Sequence, residues 1–417
     1  MIGLVDGNNF YVSCERIFDP SLEGKPVAVL SNNDGCVISR SQECKELGIA
    51  MGAAGFQLKP RLAQIGLILK SSNYELYGDI SRRVIAVLGE FSPEVEQYSI
   101  DEAFIHLNLP AGTEYFEYGT RIRQAVLKWI GIPCGVGFAP SKTLAKIANH
   151  IGKKLPSGVF VMPEEPRPVL EELPVGEVWG VGRRLAPKLA SLGIRTAWQL
   201  AAADEGFLRS RFNVTLAKTA LELRGEPLFV QENPEELSKS ISCSRSFGYP
   251  VVELSELSEA VAHYTAQAAE KLRREKQSTA GANVYFQYYP EYTPVARPGG
   301  WSGTTVTFEV PTFDTAAMLR AIRPKLRGIF LPGRRYKKAG IMFFGLESAA
   351  IRQPDLFSKE DREKSDQLSM AVDEINRRFG RGSVFHLAEG VKKTWKMKRE
   401  MLSPSYTTNW EQLPVVK

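Results

Sequence analysis

Short apolar segments alternate with helix-like segments over the first 165 residues of the chain. The apolar runs predict strands at residues 2–5, 27–30, 94–99, 103–107 and 135–138. Helical periodicity predicts helices at residues 40–47, 82–88, 116–130 and 142–151. This alternation is typical of an α+β or α/β domain.

The pattern changes twice further along the chain. Residues 166–232 are mostly helical, and the region after them combines a long amphipathic helix at 255–276 with aromatic-rich strands at 282–289, 303–310 and 339–344. A polar segment at 233–241 and a loop-like stretch from 351 mark boundaries, and a last helix is predicted near 365–379. We therefore expect a multidomain protein.

Charge is distributed unevenly along the 417 residues, whose net charge is +6. Residues 1–165 carry 16 basic and 18 acidic residues, whereas residues 242–350 carry 14 basic and 9 acidic ones. A basic third region favours a polyanionic partner held there, with a solvated basic surface as the alternative.

The composition and the N-terminal sequence indicate the cellular compartment that we expect for the protein. No apolar run approaches the ~20 residues that a membrane span needs, and the N-terminal MIGLVDGNNF lacks the basic leader of a signal peptide. Five cysteines without a CxxC pair are typical of a reducing compartment and argue against disulfides or a structural zinc site.

Three carboxylates are candidates for catalysis. Asp6 ends an apolar strand, and Asp101 and Glu102 are adjacent in YSIDEAF (98–104). Neighbouring strand residues point to opposite faces, so the adjacent pair can share a site only if the backbone turns between them. Mg²⁺ prefers such oxygen ligands, and two ions can clamp a phosphoryl transfer. The alternative is that Asp101 caps a turn while Glu102 faces solvent.

These segments together resemble Y-family translesion DNA polymerases, and within them the UmuC-type catalytic subunit of bacterial DNA polymerase V and its plasmid-borne relatives. The resemblance covers essentially the whole chain. The resemblance is most specific in five segments: DGNNFYVSCE (6–15), GKPVAVLSNNDGCVISRS (24–41), YSIDEAF (98–104), GVGFAPSKTLAKIANHIGKK (135–154) and the tail WKMKREMLSPSYTT (395–408).

The resemblance implies an α+β multidomain, right-hand architecture. The palm would be residues 1–10 and 72–165, the fingers 11–71, and a small helical thumb 166–232. A linker at 233–241 would lead to a little finger at 242–350 and a C-terminal tail at 351–417. The implied reaction is template-directed addition of a dNMP to a primer 3′ end, in error-prone translesion synthesis during SOS mutagenesis and DNA damage tolerance.

The resemblance also implies the metal ligands. Asp6, Asp101 and Glu102 match the family's carboxylates, and Gly7 matches the position that offers its backbone carbonyl. Two Mg²⁺ ions would bind there, and Mn²⁺ can substitute. Tyr11, with Phe10 beside it, matches the steric gate against a 2′-hydroxyl, although an aromatic pair after a strand is also typical of a core.

Triphosphate contacts follow from the same resemblance. Lys153 matches the family's palm lysine, and Lys45 matches a fingers position that is often arginine. Lysine keeps the charge but loses the bidentate fork. Arg40 is a further candidate, with a surface salt bridge as its alternative role.

Two regions are predicted to hold DNA. VWGVGRRLAPKLASLGIRT (178–196) resembles a helix-hairpin-helix, in which Gly180 and Gly182 expose backbone N–H groups to phosphate. The alternative is a simple turn between helices. Arg183, Arg184 and Lys188 add positive charge to it. The second region has eight basic residues and no acid, which suits sequence-independent phosphate binding: Arg320, Arg323, Lys325, Arg327, Arg334, Arg335, Lys337 and Lys338.

The aromatic run VYFQYY (284–289) has two possible roles. It could stack on bases, but we expect it to belong partly to the core and partly to the surface of the little-finger sheet.

QPDLF (353–357) resembles the peptide that bacterial polymerases insert into the β sliding clamp, through Gln353, Leu356 and Phe357. Such a segment adds its modest affinity to that of DNA binding.

The further implied partners are primer–template DNA, dNTP, a processed UmuD-type homodimer and the RecA filament, with no membrane. The implied location is the bacterial cytoplasm, at the nucleoid. Two rival functions remain at this point: a nucleotidyl cyclase or nuclease, and a catalytically idle DNA-binding accessory factor.

Overall fold

A computed structural model describes residues 1–110, 112–229, 237–290, 299–350 and 362–413 of the chain. The chain forms two compact units. The first unit comprises Met1–Ser31, Gly35–Glu232 and Met401–Lys417, and the second comprises Asn32–Asp34 and Asn233–Glu400. In the described residues, no helix has the length and apolarity that crossing a membrane requires.

The first unit contains two sheets. Their strands are β1 (Ile2–Gly7), β2 (Val27–Leu30), β3 (Val37–Arg40), β4 (Ile68–Ser71), β5 (Glu94–Gln97), β6 (Glu102–His106), β7 (Cys134–Ala139) and β8 (Val159–Val161). The larger sheet has the order β5-β6-β1-β7-β8, and the smaller one has the order β3-β2-β4. In the larger sheet β1 is antiparallel to both β6 and β7.

The helices of the first unit are α1 (Phe10–Phe18), α2 (Gln42–Glu46), α3 (Gly55–Leu58), α4 (Leu62–Ile65), α5 (Tyr74–Gly89), α6 (Tyr115–Ile130), α7 (Lys142–Gly152), α8 (Arg167–Glu172), α9 (Leu185–Ser191), α10 (Ala197–Ala202), α11 (Glu205–Arg211) and α12 (Val214–Leu223). Short 3-10 turns of this unit lie at Pro20–Leu22, Lys59–Arg61 and Val175–Glu177, and the turn at Asn32–Asp34 belongs to the second unit.

Helices cover both faces of the larger sheet, which is why its strands are apolar runs rather than alternating ones. On one face Leu4 packs with α7 and with the helices that follow β8. On the other face Val5 packs with α1, α5 and α6. Helix α7 lies so close to β7 that a Cβ on Gly137 would come within 2.1 Å of the backbone nitrogen of Asn149.

The second unit is built on a sheet of four long strands, β9 (Ile241–Val251), β10 (Gln277–Tyr288), β11 (Gly300–Thr312) and β12 (Tyr336–Ser348). Their order is β11-β10-β12-β9, and all pairings are antiparallel. Helices α13 (Leu254–Arg274) and α14 (Thr315–Ile329) pack on the side chains of Val284, Phe286, Ile341 and Phe343.

The C-terminal segment of the second unit docks on α13. Helix α15 (Arg362–Phe379) joins it through Asp373, which pairs with Arg273 at 2.6 Å. A 3-10 turn at Leu387–Glu389 delivers Glu389, whose Oε2 lies 2.7 Å from Nδ1 of His263 and 3.4 Å from Nζ of Lys393. A final 3-10 turn, Trp410–Gln412, belongs to the first unit.

Most predicted elements are present, with differences at specific places. The predicted helix at 40–47 begins too early, because Arg40 ends β3 and the helix starts only at Gln42. The sequence also failed to predict α14, which contains Pro324 in its interior. Proline removes a helical hydrogen bond, so that stretch looked like a basic run rather than a helix.

Candidate active site

The sheet register brings two of the predicted carboxylates together. Asp6 at the end of β1 lies directly opposite Glu102 at the start of β6. Asp101 lies in the turn between β5 and β6, and its carbonyl accepts a hydrogen bond of 2.9 Å from the N–H of Gly7. The backbone thus turns between the adjacent carboxylates, which is the condition that the sequence set for a shared site.

Each carboxylate has a different partner. Nζ of Lys153 lies 2.6 Å from Oδ2 of Asp6. Nζ of Lys146 lies 2.9 and 3.1 Å from the two carboxylate oxygens of Glu102. The hydroxyl of Ser99 donates to Oδ1 of Asp101 at 2.6 Å. Lys146 of α7 and Lys153, which directly follows that helix, therefore neutralise the two carboxylates that face each other.

Burial raises the pKa of Asp6 from 3.8 to about 6, against the opposing effect of Lys153. The charges of Glu102 and Asp101 raise it further, so the three carboxylates are close enough to repel one another. Such a group favours an added cation.

Among the described residues, no three histidine, cysteine or carboxylate side chains lie close enough together to form a metal site as they stand. The donor chemistry nevertheless fits a hard divalent cation, because it consists of carboxylate oxygens. The lysine ammonium groups supply the positive charge that this group of carboxylates requires.

An open cleft of about 240 Å³ lies next to these carboxylates. Asp6, Glu102, Lys146, Lys153 and Trp179 line it. Its walls combine an anionic floor with two cations and an aromatic side chain, which suits a ligand that carries both charge and a ring.

Two of the predicted triphosphate contacts, Arg40 and Lys153, are near enough to Lys45 to influence its charge. Burial lowers the pKa of Lys45, and the nearby positive charges of Arg40 and Lys153 lower it further. The guanidinium of Arg40 also donates to the carbonyl of Ile49. Three cations that repel one another favour the binding of a polyanion between them.

The two aromatic residues after β1 have different surroundings. Phe10 is 4% exposed and belongs to the core. Tyr11 is half-buried, stacks on Tyr77 with ring centroids 4.5 Å apart, and meets the edge of Tyr74 at 5.9 Å. The structure therefore leaves Tyr11 as the aromatic that can meet a substrate and places Phe10 beneath Gly7, where a Cβ would be 2.9 Å from the Phe10 ring.

Sequence reasoning missed Lys146. Its ammonium lies 4.3 Å from the ring centroid of Tyr98 and 5.3 Å from that of Trp179, in addition to its contact with Glu102. The signal was available in the spacing of residues 142 and 146, which puts two lysines on one side of α7 shortly before Lys153.

The predicted helix-hairpin-helix includes α9, and its first glycine turn lies between α8 and α9. Gly180 has a φ of +85°, a left-handed conformation that suits glycine. The N–H groups of Leu185 and Ala186 both donate to the carbonyl of Gly182. Beyond this turn the predicted basic residues are exposed: Arg183, Arg184 and Lys188.

The basic run of the second unit is divided between two elements. Four members are exposed on α14: Arg320, Arg323, Lys325 and Arg327. Arg334 and Arg335 precede β12 and lie over the rings of Tyr288 and Tyr289 at 4.9 and 5.9 Å. Lys337 and Lys338 belong to β12 itself.

The face of the second sheet that α13 and α14 leave open carries the remaining aromatic signal. Asn283, Tyr285, Gln287 and Lys338 line an open trough of about 580 Å³ beside Trp301, which is 72% exposed. The run at 284–289 is thus partly core and partly surface, as expected. The predicted clamp peptide, Gln353, Leu356 and Phe357, lies outside the described residues.

Comparison with known proteins gives the family. The sequence profile of the impB/mucB/samB family matches residues 5–150, and that of its C-terminal domain matches residues 238–356. The chain is 42% identical to Protein ImpB of Salmonella typhimurium over 427 residues, which cover all of both chains. The chain belongs to the impB/mucB/samB family.

Further relatives and sequence profiles match the chain as well. Protein UmuC of Salmonella typhimurium strain LT2 is 42% identical over 424 residues, which again cover all of both chains. DNA polymerase IV 1 of Bacillus subtilis is 27% identical over 393 residues, 90% of each chain. The HHH motif of the family matches residues 163–194, and a domain of unknown function matches residues 366–416.

The fold of this impB/mucB/samB member resembles solved polymerases. A Y-family DNA polymerase chimera of Dbh and Dpo4 aligns with a TM-score of 0.64 at 22% identity, over 84% of this chain and 100% of the chimera. A ternary complex of Dbh DNA polymerase aligns with a TM-score of 0.55. The prediction of a UmuC-type DNA polymerase is confirmed by the relatives, and the expected α+β multidomain fold, like that of Y-family polymerases, is confirmed by the structural matches.

Proposed function

We propose that this chain performs template-directed addition of dNMP to a primer 3′ end, in error-prone translesion synthesis, with Asp6, Asp101 and Glu102 as its metal-binding carboxylates. The observation that carries the proposal is the register of β1 and β6. It sets Asp6 opposite Glu102 beside the turn that holds Asp101, in a chain of a polymerase family.

Two divalent cations, Mg²⁺ or in its place Mn²⁺, would supply activation of the primer hydroxyl and stabilisation of the leaving pyrophosphate. Asp6, Asp101, Glu102 and the carbonyl of Gly7 would hold them. Burial, and to a smaller extent the charges of Glu102 and Asp101, raise the pKa of Asp6, and a bound cation would offset both effects, which supports this role.

The chain's own cations would receive the nucleotide. Arg40, Lys45 and Lys153 bind the triphosphate, and the lowered pKa of Lys45 supports their convergence on one site. The Lys153 side chain moves from Asp6 to the phosphates of the bound nucleotide. The Asp6 carboxylate is then free to bind a cation. Tyr11 closes the sugar side and excludes a 2′-hydroxyl.

The right-hand division follows from the same proposal. Residues 1–10 and 72–165 form the palm, 11–71 the fingers, and 166–232 the thumb. After the linker at 233–241, residues 242–350 form the little finger and 351–417 the tail. The exposed basic side chains of the hairpin region and of α14 hold the DNA backbone through phosphate contacts that do not depend on sequence.

Partners are proposed from family membership. A processed UmuD-type homodimer and a RecA filament activate the subunit, and residues 353–357 bind the β sliding clamp. The protein works in the bacterial cytoplasm at the nucleoid. Relatives named UmuC support the first of these partners.

Primer extension across an abasic site tests the proposal. The purified chain is assayed with Mg²⁺ and dNTPs, with and without the UmuD-type dimer and RecA–ATP, beside an Asp101→Ala variant. We expect extension that is lost in Asp101→Ala, while primer–template binding changes by less than about threefold.

Extension that survives in Asp101→Ala would contradict the assigned carboxylates. DNA binding without extension, in the presence of both the UmuD-type dimer and RecA–ATP, would favour an idle accessory factor instead.

A further inference from the structure

Residues 401–406, near the C-terminal end of the chain, pack within the first unit. The carbonyl of Met401 accepts from the N–H of Ser71, and its own N–H donates to the Ser71 hydroxyl, both at 3.0 Å. Nδ2 of Asn73 donates to the Ser403 hydroxyl at 3.0 Å and to the carbonyl of Pro404 at 3.3 Å. Ser403 is only 4% exposed.

The Ser403 hydroxyl donates in turn to a buried carboxylate. Its bond to Oε1 of Glu15 measures 3.0 Å. Glu15 is 1% exposed, and the same oxygen accepts a second bond of 2.7 Å from the hydroxyl of Tyr77. The other oxygen, Oε2, has no hydrogen-bond partner among the described residues. Two hydroxyl groups therefore hold a carboxylate whose burial would otherwise be costly.

Burial raises the pKa of Glu15, and the hydrogen bonds from Tyr77 and Ser403 oppose that rise. Both donors stabilise the charged form, and together they fix the orientation of the Glu15 carboxylate. Without the Ser403 hydroxyl the carboxylate can turn, so the Tyr77 hydroxyl is bound to a less fixed acceptor.

Tyr77 connects Glu15 and Ser403 to Tyr11, the candidate steric gate. Its ring is fully buried and stacks on Tyr11 with an interplanar angle of 17°. Glu15 and Tyr11 are four residues apart on α1, so they lie on the same side of that helix. Asn73 also caps α5 by accepting from the N–H of Leu76, which ties the same contact network to the helix that carries Tyr77.

We propose that residues 401–406 set the sugar selectivity of the polymerase. Ser403 and Glu15 are positioning residues that fix Tyr77 and, through its ring, the Tyr11 gate. The inference rests on the proposed polymerase function and on Tyr11 as its gate. It gives the end of the family's domain of unknown function, matched at residues 366–416, a role at the nucleotide.

Loss of the Ser403 hydroxyl leaves Glu15 with a single donor and loosens the hydroxyl end of Tyr77. The Tyr11 ring then has a less fixed stacking partner and rejects a 2′-hydroxyl less strongly. Addition of a deoxynucleotide needs no such rejection, so its rate changes little.

The test compares Ser403→Ala with wild type, in the full chain with its activating partners. kcat/KM is measured for one dNTP and for the matching rNTP. Loss of one hydrogen bond predicts a fall in the dNTP/rNTP ratio of roughly threefold to tenfold. Tyr77→Phe, which removes the other hydroxyl but keeps the ring, shifts the ratio in the same direction.

Two controls isolate the path through Tyr11. Ser405→Ala makes the same chemical change two residues along, where the described residues give the side chain no hydrogen bond, and it leaves the ratio unchanged. In a Tyr11→Ala background, Ser403→Ala causes no further change, because the gate is already absent.

An equal loss of dNTP and rNTP incorporation in Ser403→Ala would mean a merely structural role and would overturn the inference. An unchanged ratio in Ser403→Ala and Tyr77→Phe, with an active wild type and a permissive Tyr11→Ala, would overturn the inference alone. A wild type that adds no nucleotide with all partners present would refute the proposed function and this inference together.

Discussion

Replacing Asp6 by asparagine should remove catalysis and yet stabilise the metal-free protein. The charged Asp6 carboxylate destabilises the folded state, because burial raises its pKa from 3.8 to about 6. At about 1.4 kcal/mol for each factor of ten in proton affinity, that difference corresponds to about 3 kcal/mol against the charged form. Asparagine keeps the shape without the charge.

The gain is smaller than this limit, because Lys153 loses its partner. Its side chain is 32% exposed and can turn to solvent. We expect Asp6→Asn to gain about 1–3 kcal/mol, which raises Tm by roughly 2–12 °C for a unit of this size. An exposed Glu164→Gln change serves as the control and leaves Tm unaltered.

The sign of the pH dependence follows from the raised pKa. Below about pH 4 the carboxyl is protonated in both the folded and the unfolded state, so wild type and Asp6→Asn have equal stability. As pH rises through about 6 the wild type alone loses stability. The difference in Tm should therefore open between pH 4 and pH 7.

Mg²⁺ should stabilise the wild type selectively and offset most or all of the gain of Asp6→Asn. Saturation about a hundredfold above Kd stabilises a binding protein by about 2.7 kcal/mol, and Asp6→Asn lacks a ligand for it. Differential scanning calorimetry with and without Mg²⁺ measures both effects. A metal-free Asp6→Asn protein that melts below wild type at pH 7 would refute this reasoning.

Two further changes test the packing of each unit. Although burial acts to raise it, hydrogen bonds hold the pKa of Glu389 below its usual range. Glu389→Gln should therefore cost about 1–3 kcal/mol near pH 7 in urea denaturation, and this cost should fade as pH falls through the carboxyl's lowered pKa. The same change at the exposed Glu374 should cost little, and equal effects would contradict the interpretation. Gly137→Ala should cost at least about 3 kcal/mol, because its Cβ would meet the backbone of Asn149 at 2.1 Å. Gly89→Ala, where a Cβ meets open space, is its control, and a stable Gly137→Ala chain would show that β7 and α7 can separate.

Local patterns predicted those parts of the fold whose signal is local. The apolar run before Asp6 identified β1, and the adjacent Asp101 and Glu102 indicated a turn that the structure contains. Strand β9 escaped because serine, arginine and glycine interrupt its apolar positions, and α14 escaped because of Pro324.

The contacts of the candidate site were harder to predict. Nothing in the neighbourhood of Lys146 says which residue it pairs with, since Glu102 is 44 positions away. The partners of Glu15 lie 62 and 388 positions from it. Pairings of this kind arise only when the chain has folded, so spacing rules do not detect them.

The separation of Glu15 from Ser403 has a consequence for protein synthesis. At about 5–20 residues per second, the ribosome needs roughly 20–80 s to add the 388 positions between them. Once Tyr77 has been added, 62 positions after Glu15, its hydroxyl is the one of the two donors that the nascent chain can offer this carboxylate for the rest of that interval. The first unit is therefore completed late in translation, and a chain released before Ser403 carries an unfinished core contact that quality-control proteases can exploit.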